Sequence, residues 1–183
     1  MGGEDKGLVV VAGRPMIEWI IDALAPQVDG LIINANRNVD RYATYGLPVV
    51  PDGLPNYQGP LAGFAAAMDY VGAGGAILTV PCDSPIPPAD LEVRLSAALE
   101  RANAELAVAH DGERLQPVYA LIPVALRESL GAFLAAGERK IDIWYARHRM
   151  ATADFSDRRD HFINLNRPDD LERVERLLAR PAA

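Results

Sequence analysis

Short apolar runs alternate with amphipathic stretches along the chain, a pattern that is typical of α/β proteins and constrains the fold more than any other feature. Residues 76–80 are nearly continuously apolar, as expected for a strand at the centre of a parallel sheet. Residues 14–27 place their large aliphatic side chains on one face of a helix, and Pro15 suits its first turn. The sequence therefore predicts an α/β fold with a mostly parallel central sheet.

The same patterns predict the order of the elements. We expect strands at 31–33, 47–50, 76–80, 106–109, 117–122 and 162–166. We expect helices at 14–27, 60–71, 88–103, 124–134, 141–147 and 168–178. Asp111 and Gly112 favour a tight turn that pairs strand 106–109 with strand 117–122. No repeat or linker interrupts the pattern, so residues 1–183 are predicted to form a single domain.

Charge and cysteine content narrow the class of function. The net charge of -7 argues against a general nucleic-acid or membrane-surface binder, so any phosphate must be held locally. The single cysteine excludes an internal disulfide and fits a reducing compartment. No apolar run is long enough to span a bilayer, and no signal-peptide pattern is present at residue 1. We therefore expect a cytoplasmic protein without a membrane or nucleic-acid partner.

Polar residues follow the predicted strands repeatedly. These residues are Asn34, Asp52, Asp83, and Asn164 with Asn166. Any one of them could be a turn or cap residue, since Asn and Asp favour both. In open α/β sheets, however, ligands bind beyond the carboxyl ends of the strands. The set of four strand ends therefore predicts a ligand site at this edge of the sheet.

The strongest local pattern is the aspartate that follows the central strand. Asp83 lies between Pro81 and Pro85, which restrict the backbone and fix the carboxylate at the sheet edge. A carboxylate held in this way can bind Mg²⁺, which usually takes one or two protein carboxylates together with water and substrate phosphates. Neighbouring Cys82 is interpreted as a small buried residue rather than a nucleophile, because no histidine pattern supplies a base.

Two glycine-containing segments are suited to an anionic ligand. Gly2 and Gly3 let the backbone approach a phosphate closely, and Lys6 follows with a positive charge. Gly59 and Gly63 flank the start of the predicted helix 60–71, whose N-terminus favours negative charge. Simple helix packing explains the second pair equally well.

Taken together, these motifs resemble the molybdenum cofactor guanylyltransferases, which are nucleotidyltransferases with a Rossmann-like three-layer fold. Residues 1–8, MGGEDKGL, match the end of the family's opening fingerprint, L-A-G-G-x-x-x-R-M-G-G-x-D-K-G-L. The other matching segments follow in the family's order: 31–37, Asp52, 59–63, 81–85, 110–114, 136–139 and 164–168. The resemblance thus extends from residue 1 to the last predicted helix.

The resemblance implies transfer of GMP from Mg·GTP to molybdopterin, with release of pyrophosphate. It assigns Lys6 and Asp83 to catalysis and Asp83 to Mg²⁺, the cofactor. The implied nucleotide-binding residues are Gly2, Gly3, Lys6, Asn34, Asp52, Gly63 and Asp83. The implied molybdopterin-binding residues are Arg139, Lys140, Asn164 and Asn166. It also implies a monomer that contacts proteins of cofactor delivery and molybdoenzyme maturation.

One departure from the family concerns the first strand. The match to the family's fingerprint begins after its L-A-G-G-x-x-x-R segment, which in the family supplies that strand, a glycine cradle and an arginine. A strand of ordinary length together with the glycine loop would be on the order of 15–20 residues long. We expect such a segment to be needed for activity.

Three alternatives remain open at this point. Two are related enzymes, a cytidylyltransferase for the same cofactor and a sugar-phosphate nucleotidyltransferase. The third is a non-catalytic protein that carries the cofactor or a nucleotide.

Overall fold

A four-stranded sheet lies at the centre of the computed structural model, which describes residues 5–53, 59–166 and 168–179. The strands are β1 (Val10–Val11), β2 (Arg14–Pro15), β3 (Ile33–Asn34), β4 (Val49–Val50), β5 (Ala76–Thr79), β6 (Leu106–His110), β7 (Leu115–Pro123) and β8 (Met150–Asp154). The helices are α1 (Met16–Leu24), α2 (Val39–Ala43), α3 (Pro60–Val71), α4 (Leu91–Arg101), α5 (Arg127–Ala135), α6 (Ile141–Tyr145) and α7 (Pro168–Leu178).

The central sheet has the strand order β5-β7-β6-β8. β7 runs antiparallel to both of its neighbours, whereas β8 is parallel to β6. Three of the four strands therefore point in one direction, and β7 makes the sheet mixed. A separate parallel pair, β3 and β4, joins Ile33 to Val49 and Asn34 to Val50.

Alternating side chains of β6 bury both faces of this sheet. Ala107 and Ala109 belong to one apolar cluster, which receives side chains from α1, α4 and α7. Leu106 and Val108 belong to a second cluster, which receives side chains from α3, α5 and α6. Because consecutive strand residues point to opposite faces, a wholly apolar strand requires helices on both sides. The predicted α/β fold with three layers is confirmed.

Helix α4 illustrates how local sequence sets an element. Leu91, Leu95 and Ala98 are spaced for one helical face, and all three are buried in the first cluster. The helix ends before Asn103, which adopts a left-handed conformation with φ 45°. Asparagine tolerates this conformation better than most residues, so the chain can turn towards β6 there.

Three features of the strands differ from expectation. β5, expected at the centre of a parallel sheet, is an edge strand and pairs antiparallel with β7. Residues 150–154 form β8 but escaped prediction, because its inward side chains are two alanines, Ala151 and Ala153, with little β propensity. Residues 162–166 were expected to be a strand, yet Phe162 closes a 3-10 segment and the rest is irregular. Phe162 and Leu165 are buried three residues apart, which does not fit the alternation of a strand.

Helix boundaries differ from expectation at both ends. The first helix begins at Met16 rather than at residue 14, because Arg14 and Pro15 pair with Val11 and Val10 as β2. Helices α3 and α7 have the predicted bounds. Across the described parts of the chain, none of the helices combines the length and the apolar character needed to pass through a membrane.

Leu95→Ala should lower the free energy of unfolding by about 2–5 kcal/mol, because a fully buried side chain leaves a cavity. Val93 on the same helix is 59% exposed, and Val93→Ala should change that free energy by less than about 0.5 kcal/mol. Urea denaturation of both variants measures the difference. Equal losses would contradict the assignment of these two faces.

Candidate active site

A lysine–carboxylate pair joins segments that are far apart in sequence. The Nζ of Lys6 lies 2.8 Å from Oδ2 of Asp83, and it also donates to Oδ1 of Asn166 at 2.6 Å. The side chain of Asp83 is only 17% exposed, whereas that of Lys6 is 39% exposed. The positive charge is therefore offered at the surface, while the carboxylate beneath it is largely enclosed.

The loop that carries Asp83 is fixed from below. Leu165 donates its backbone N–H to the carbonyl oxygen of Asp83 at 2.8 Å. The hydroxyl of Ser84, which is fully buried, donates to Oδ1 of Asn164 at 2.5 Å. Since Leu165 is itself buried, the irregular segment at 163–166 acts as a brace against the loop. A strand is thus not needed to bring Asn164 and Asn166 to this edge.

A second polar cluster lies at the ends of β3 and β4. The side-chain amide of Asn34 donates to the Val50 carbonyl at 2.9 Å and to Oδ1 of Asp52 at 3.0 Å. Asn36 donates to Oδ2 of Asp52 at 2.7 Å, and its own Oδ1 accepts the Asp52 backbone N–H at 2.8 Å. Both oxygens of Asp52 are therefore held in place by amide donors.

Gly63 on α3 allows the second cluster to form. It is buried, and a Cβ at this position would overlap Oδ1 of Asn34. Any larger residue would have to displace the asparagine from its partners. The glycine predicted as a close-approach position thus has a defined neighbour, although that neighbour is the protein's own side chain.

An open cavity of about 160 Å³ lies beside the second cluster. Its wall includes Asn34 and Asn36 from the second cluster and Cys82, which precedes Asp83. The remaining lining residues are Asp5, Ile17, Ile33, Ala35, Arg37 and Tyr42. The lining of the cavity therefore combines apolar side chains with acidic, amide and guanidinium groups at the ends of β3 and β4.

Helix α2 supplies a third set of contacts, on the residue before Lys6. The hydroxyl of Tyr42 donates to Oδ1 of Asp5 at 2.6 Å, and Asn38 donates to Oδ2 at 3.0 Å. Sequence reasoning missed Asp5, Asn38 and Tyr42. The five-residue helix carries no strong periodicity, and the role of its tyrosine is visible only once it packs against the first residues of the chain.

Cys82 is exposed and lines the cavity, so its interpretation as a buried residue was wrong. The pKa of its thiol is nevertheless raised, first because protein packed around the sulfur desolvates it and second because Asp83 and Asp5 are negative. The thiol stays neutral at physiological pH. The structure therefore gives no activated sulfur nucleophile, since the thiolate is the reactive form.

The donor set suits a metal that needs few protein ligands. Within residues 5–53, 59–166 and 168–179, no three His, Cys, Asp or Glu side chains gather into a metal-binding group. A tetrahedral zinc centre needs such a group, whereas Mg²⁺ is commonly held by one carboxylate with water and phosphate oxygens. Asp83 is placed to provide that carboxylate.

The structure gathers most of the predicted residues into two polar clusters. Lys6, Asp83, Asn164 and Asn166 form the first cluster, while Asn34, Asp52 and Gly63 form the second. Gly2 and Gly3 lie outside the described residues. Arg139 donates to the carbonyl oxygens of Leu134 and Glu138 at the end of α5, and Lys140 is exposed beside it.

A three-layer α/β fold with a lysine–carboxylate pair and a polar cavity at the carboxyl ends of its strands is typical of nucleotide-binding domains. Comparison with known families makes the assignment specific. The chain belongs to the MobA-like NTP transferase domain family, whose model matches residues 1–176. The family is one of nucleotidyltransferases.

Individual relatives agree with this assignment. A molybdenum cofactor guanylyltransferase from Shewanella sp. (strain ANA-3) is 53% identical over 174 residues, which cover 95% of this chain and 88% of the relative. A protein of the same name from Shewanella sediminis is 51% identical over 98% of this chain and 91% of its own length. The crystal structure of molybdopterin-guanine dinucleotide biosynthesis protein A from Archaeoglobus fulgidus is 21% identical and has the same fold, with a TM-score of 0.77 over 97% of this chain and 92% of that one.

Gly63→Ala should weaken binding of Mg·GTP by roughly tenfold, because the new Cβ displaces Asn34 from Asp52. Gly131→Ala is the matched control, since its Cβ would meet only the end of the Arg127 side chain, at 2.8 Å. Calorimetric titration of both variants gives the affinities. Unchanged affinity in Gly63→Ala would remove the second cluster from the nucleotide site.

Proposed function

We propose that this protein transfers GMP from Mg·GTP to the terminal phosphate of molybdopterin, forming the guanine dinucleotide cofactor and releasing pyrophosphate. The substrates are inferred from the name molybdenum cofactor guanylyltransferase, which relatives 53% and 51% identical carry. The observation that carries the chemistry is the Lys6–Asp83 pair at 2.8 Å. It puts a cation for phosphate oxygens and a carboxylate for a metal in one place.

The proposed reaction is a displacement at phosphorus. An oxygen of the molybdopterin phosphate attacks the α-phosphorus of GTP, and a new P–O bond forms. The bond from that phosphorus to the oxygen bridging the β-phosphate breaks, and pyrophosphate leaves with the bonding electrons. Such a reaction needs positioned charge rather than a protein nucleophile. This agrees with the neutral thiol of Cys82.

The proposed roles divide between charge neutralisation at the phosphates and contact with the guanosine. Lys6 neutralises triphosphate oxygens, and Asp83 holds Mg²⁺, which when bound supplies further positive charge to the phosphates. Backbone donors at Gly2 and Gly3 share this work. Asn34 and Asp52 contact the guanosine, with Gly63 leaving room for them.

The acceptor is proposed to lie on the other side of Lys6. Asn164 and Asn166 are proposed to face the pterin; the support is that Asn166 accepts a hydrogen bond from Lys6 and Asn164 accepts one from Ser84, next to Asp83. Arg139 or Lys140 pairs with the acceptor's phosphate. A cytoplasmic monomer that passes its product to proteins of cofactor delivery and molybdoenzyme maturation belongs to the same proposal.

Asp83→Asn should lower the rate of pyrophosphate release by roughly 100-fold or more, because the amide keeps the shape but loses the charge that a metal requires. Asp29→Asn, at an exposed loop position, is the control and should retain full activity. A coupled pyrophosphate assay with limiting Mg²⁺ measures both. Near wild-type turnover of Asp83→Asn would remove this carboxylate from the mechanism.

Mg·GTP should bind more tightly than the Mg complexes of ATP, CTP and UTP, and binding should require the divalent metal. Calorimetry with the four nucleotides, with and without EDTA, measures this order. Tighter binding of CTP would identify a cytidylyltransferase instead. Tight GTP binding without any pyrophosphate release in the presence of molybdopterin would identify a non-catalytic carrier.

A further inference from the structure

The residues on both sides of Lys6 contact one tyrosine. Asp5 accepts the hydroxyl hydrogen bond of Tyr42 at 2.6 Å. Gly7 packs against the same hydroxyl so closely that a Cβ there would lie 2.6 Å from the Tyr42 oxygen. The short 3-10 turn Lys6–Leu8 is therefore held at its start and at its second residue by one side chain.

Tyr42 is itself rigidly placed. It is only 3% exposed and packs in an apolar cluster with Leu8, Ile17 and Ile33, which belong to three different elements or turns. Burial, then the hydrogen bond to Asp5, raises the pKa of its hydroxyl well above the ordinary value. The hydroxyl thus remains protonated and donates to Asp5 at every pH at which the protein would work.

Asn38 makes the second contact from a backbone conformation that few side chains adopt. It precedes α2 with φ 51° and ψ 31°, in the left-handed region, and it does not cap that helix through its side chain. Its amide instead donates to Oδ2 of Asp5 at 3.0 Å. Both oxygens of Asp5 are accordingly bound, one by Tyr42 of α2 and the other by the residue before that helix.

We propose that Tyr42 and Asn38 are positioning residues that act through Asp5 to fix Lys6 for binding of nucleotide phosphates. The inference rests on the proposed function. A flexible lysine loses side-chain and backbone freedom when it binds a ligand, and a turn that is already fixed loses less. Helix α2 thus contributes to affinity without touching the phosphates.

Tyr42→Phe tests the inference, because it removes the hydrogen bond and keeps the ring in the apolar cluster. We expect the Kd for Mg·GTP to rise roughly tenfold, as for a lost hydrogen bond to a charged group. Tyr45→Phe is the matched control, since Tyr45 packs at the edge of the same cluster and lacks a bond to Asp5 among the described contacts. Its Kd should change less than twofold.

A double-mutant cycle with Lys6→Ala separates positioning from general stability. If Tyr42 acts through the lysine, Tyr42→Phe should weaken binding less than twofold in the Lys6→Ala background. The same tenfold loss in both backgrounds would overturn the inference, as would an unchanged Kd in the single variant. A lowered Tm with unchanged Kd would show a merely structural role.

Asn38→Gly provides a second variant that keeps the backbone conformation, because glycine adopts positive φ without strain. It should also weaken binding, and the loss should again depend on Lys6. Asn38→Ala would combine lost contact with backbone strain and is therefore less informative.

The outcomes distinguish this inference from the function on which it rests. If Mg·GTP binds with the expected coupling between residues 42 and 6 but no pyrophosphate is released with molybdopterin, the proposed function fails and the positioning role stands. If turnover occurs and the coupling is absent, only the positioning role fails. Failure of the wild-type protein to bind Mg·GTP overturns both.

Discussion

Both faces of the central sheet are apolar, and both must be shielded from water when the chain folds. The alternation along β6, with alanines towards one cluster and larger aliphatic residues towards the other, divides the helices between two layers. The alanines of β6 share a cluster with side chains of α4 on one side, whereas Leu106 and Val108 share a cluster with the bulkier Phe133 and Trp144 on the other. Because helices cover both faces of the sheet, polar groups can gather only at its periphery.

The two polar clusters are assembled by contacts between distant parts of the chain. Lys6 meets Asp83 and Asn166 across sequence separations of 77 and 160 residues. Asn34 meets Asp52 only because β3 and β4 pair in parallel with a fixed register. No short peptide from this chain could reproduce either cluster. The site therefore depends on the folded structure, and destabilising substitutions in the core should disrupt it indirectly.

The elements that the sequence predicted well are those with a clear apolar period. Helix α3 has its predicted bounds, and β6 and β7 pair across the turn at Asp111, whose carboxylate accepts the backbone N–H groups of Glu113 and Arg114 at 2.8 Å. Strand β8 was missed because alanine carries little information about strands. The segment 162–166 was misassigned because two anchoring residues in a loop imitate a short strand.

The candidate site was predictable to a similar degree. Asp83, Asn34 and Asp52 stand out because they follow apolar runs, and the structure places them in the two polar clusters. Tyr42 and Ser84 carry no such mark, since their importance depends on which distant residues they meet. Local patterns thus locate candidate polar groups, whereas the residues that orient those groups become visible only in three dimensions.

The contact between Lys6 and Asp83 couples the binding of anions and cations at this site. Each charge already neutralises the other, so a lone anion that draws the lysine away leaves a carboxylate with only 17% of its surface in water. A lone divalent cation at the carboxylate meets the repulsion of the nearby ammonium group. A ligand that carries both signs of charge pairs its anion with Lys6 and its cation with Asp83. It thus replaces one ion pair with two and avoids both the buried unpaired carboxylate and the repulsion from the ammonium group. Metal and polyphosphate should therefore bind with positive heterotropic cooperativity.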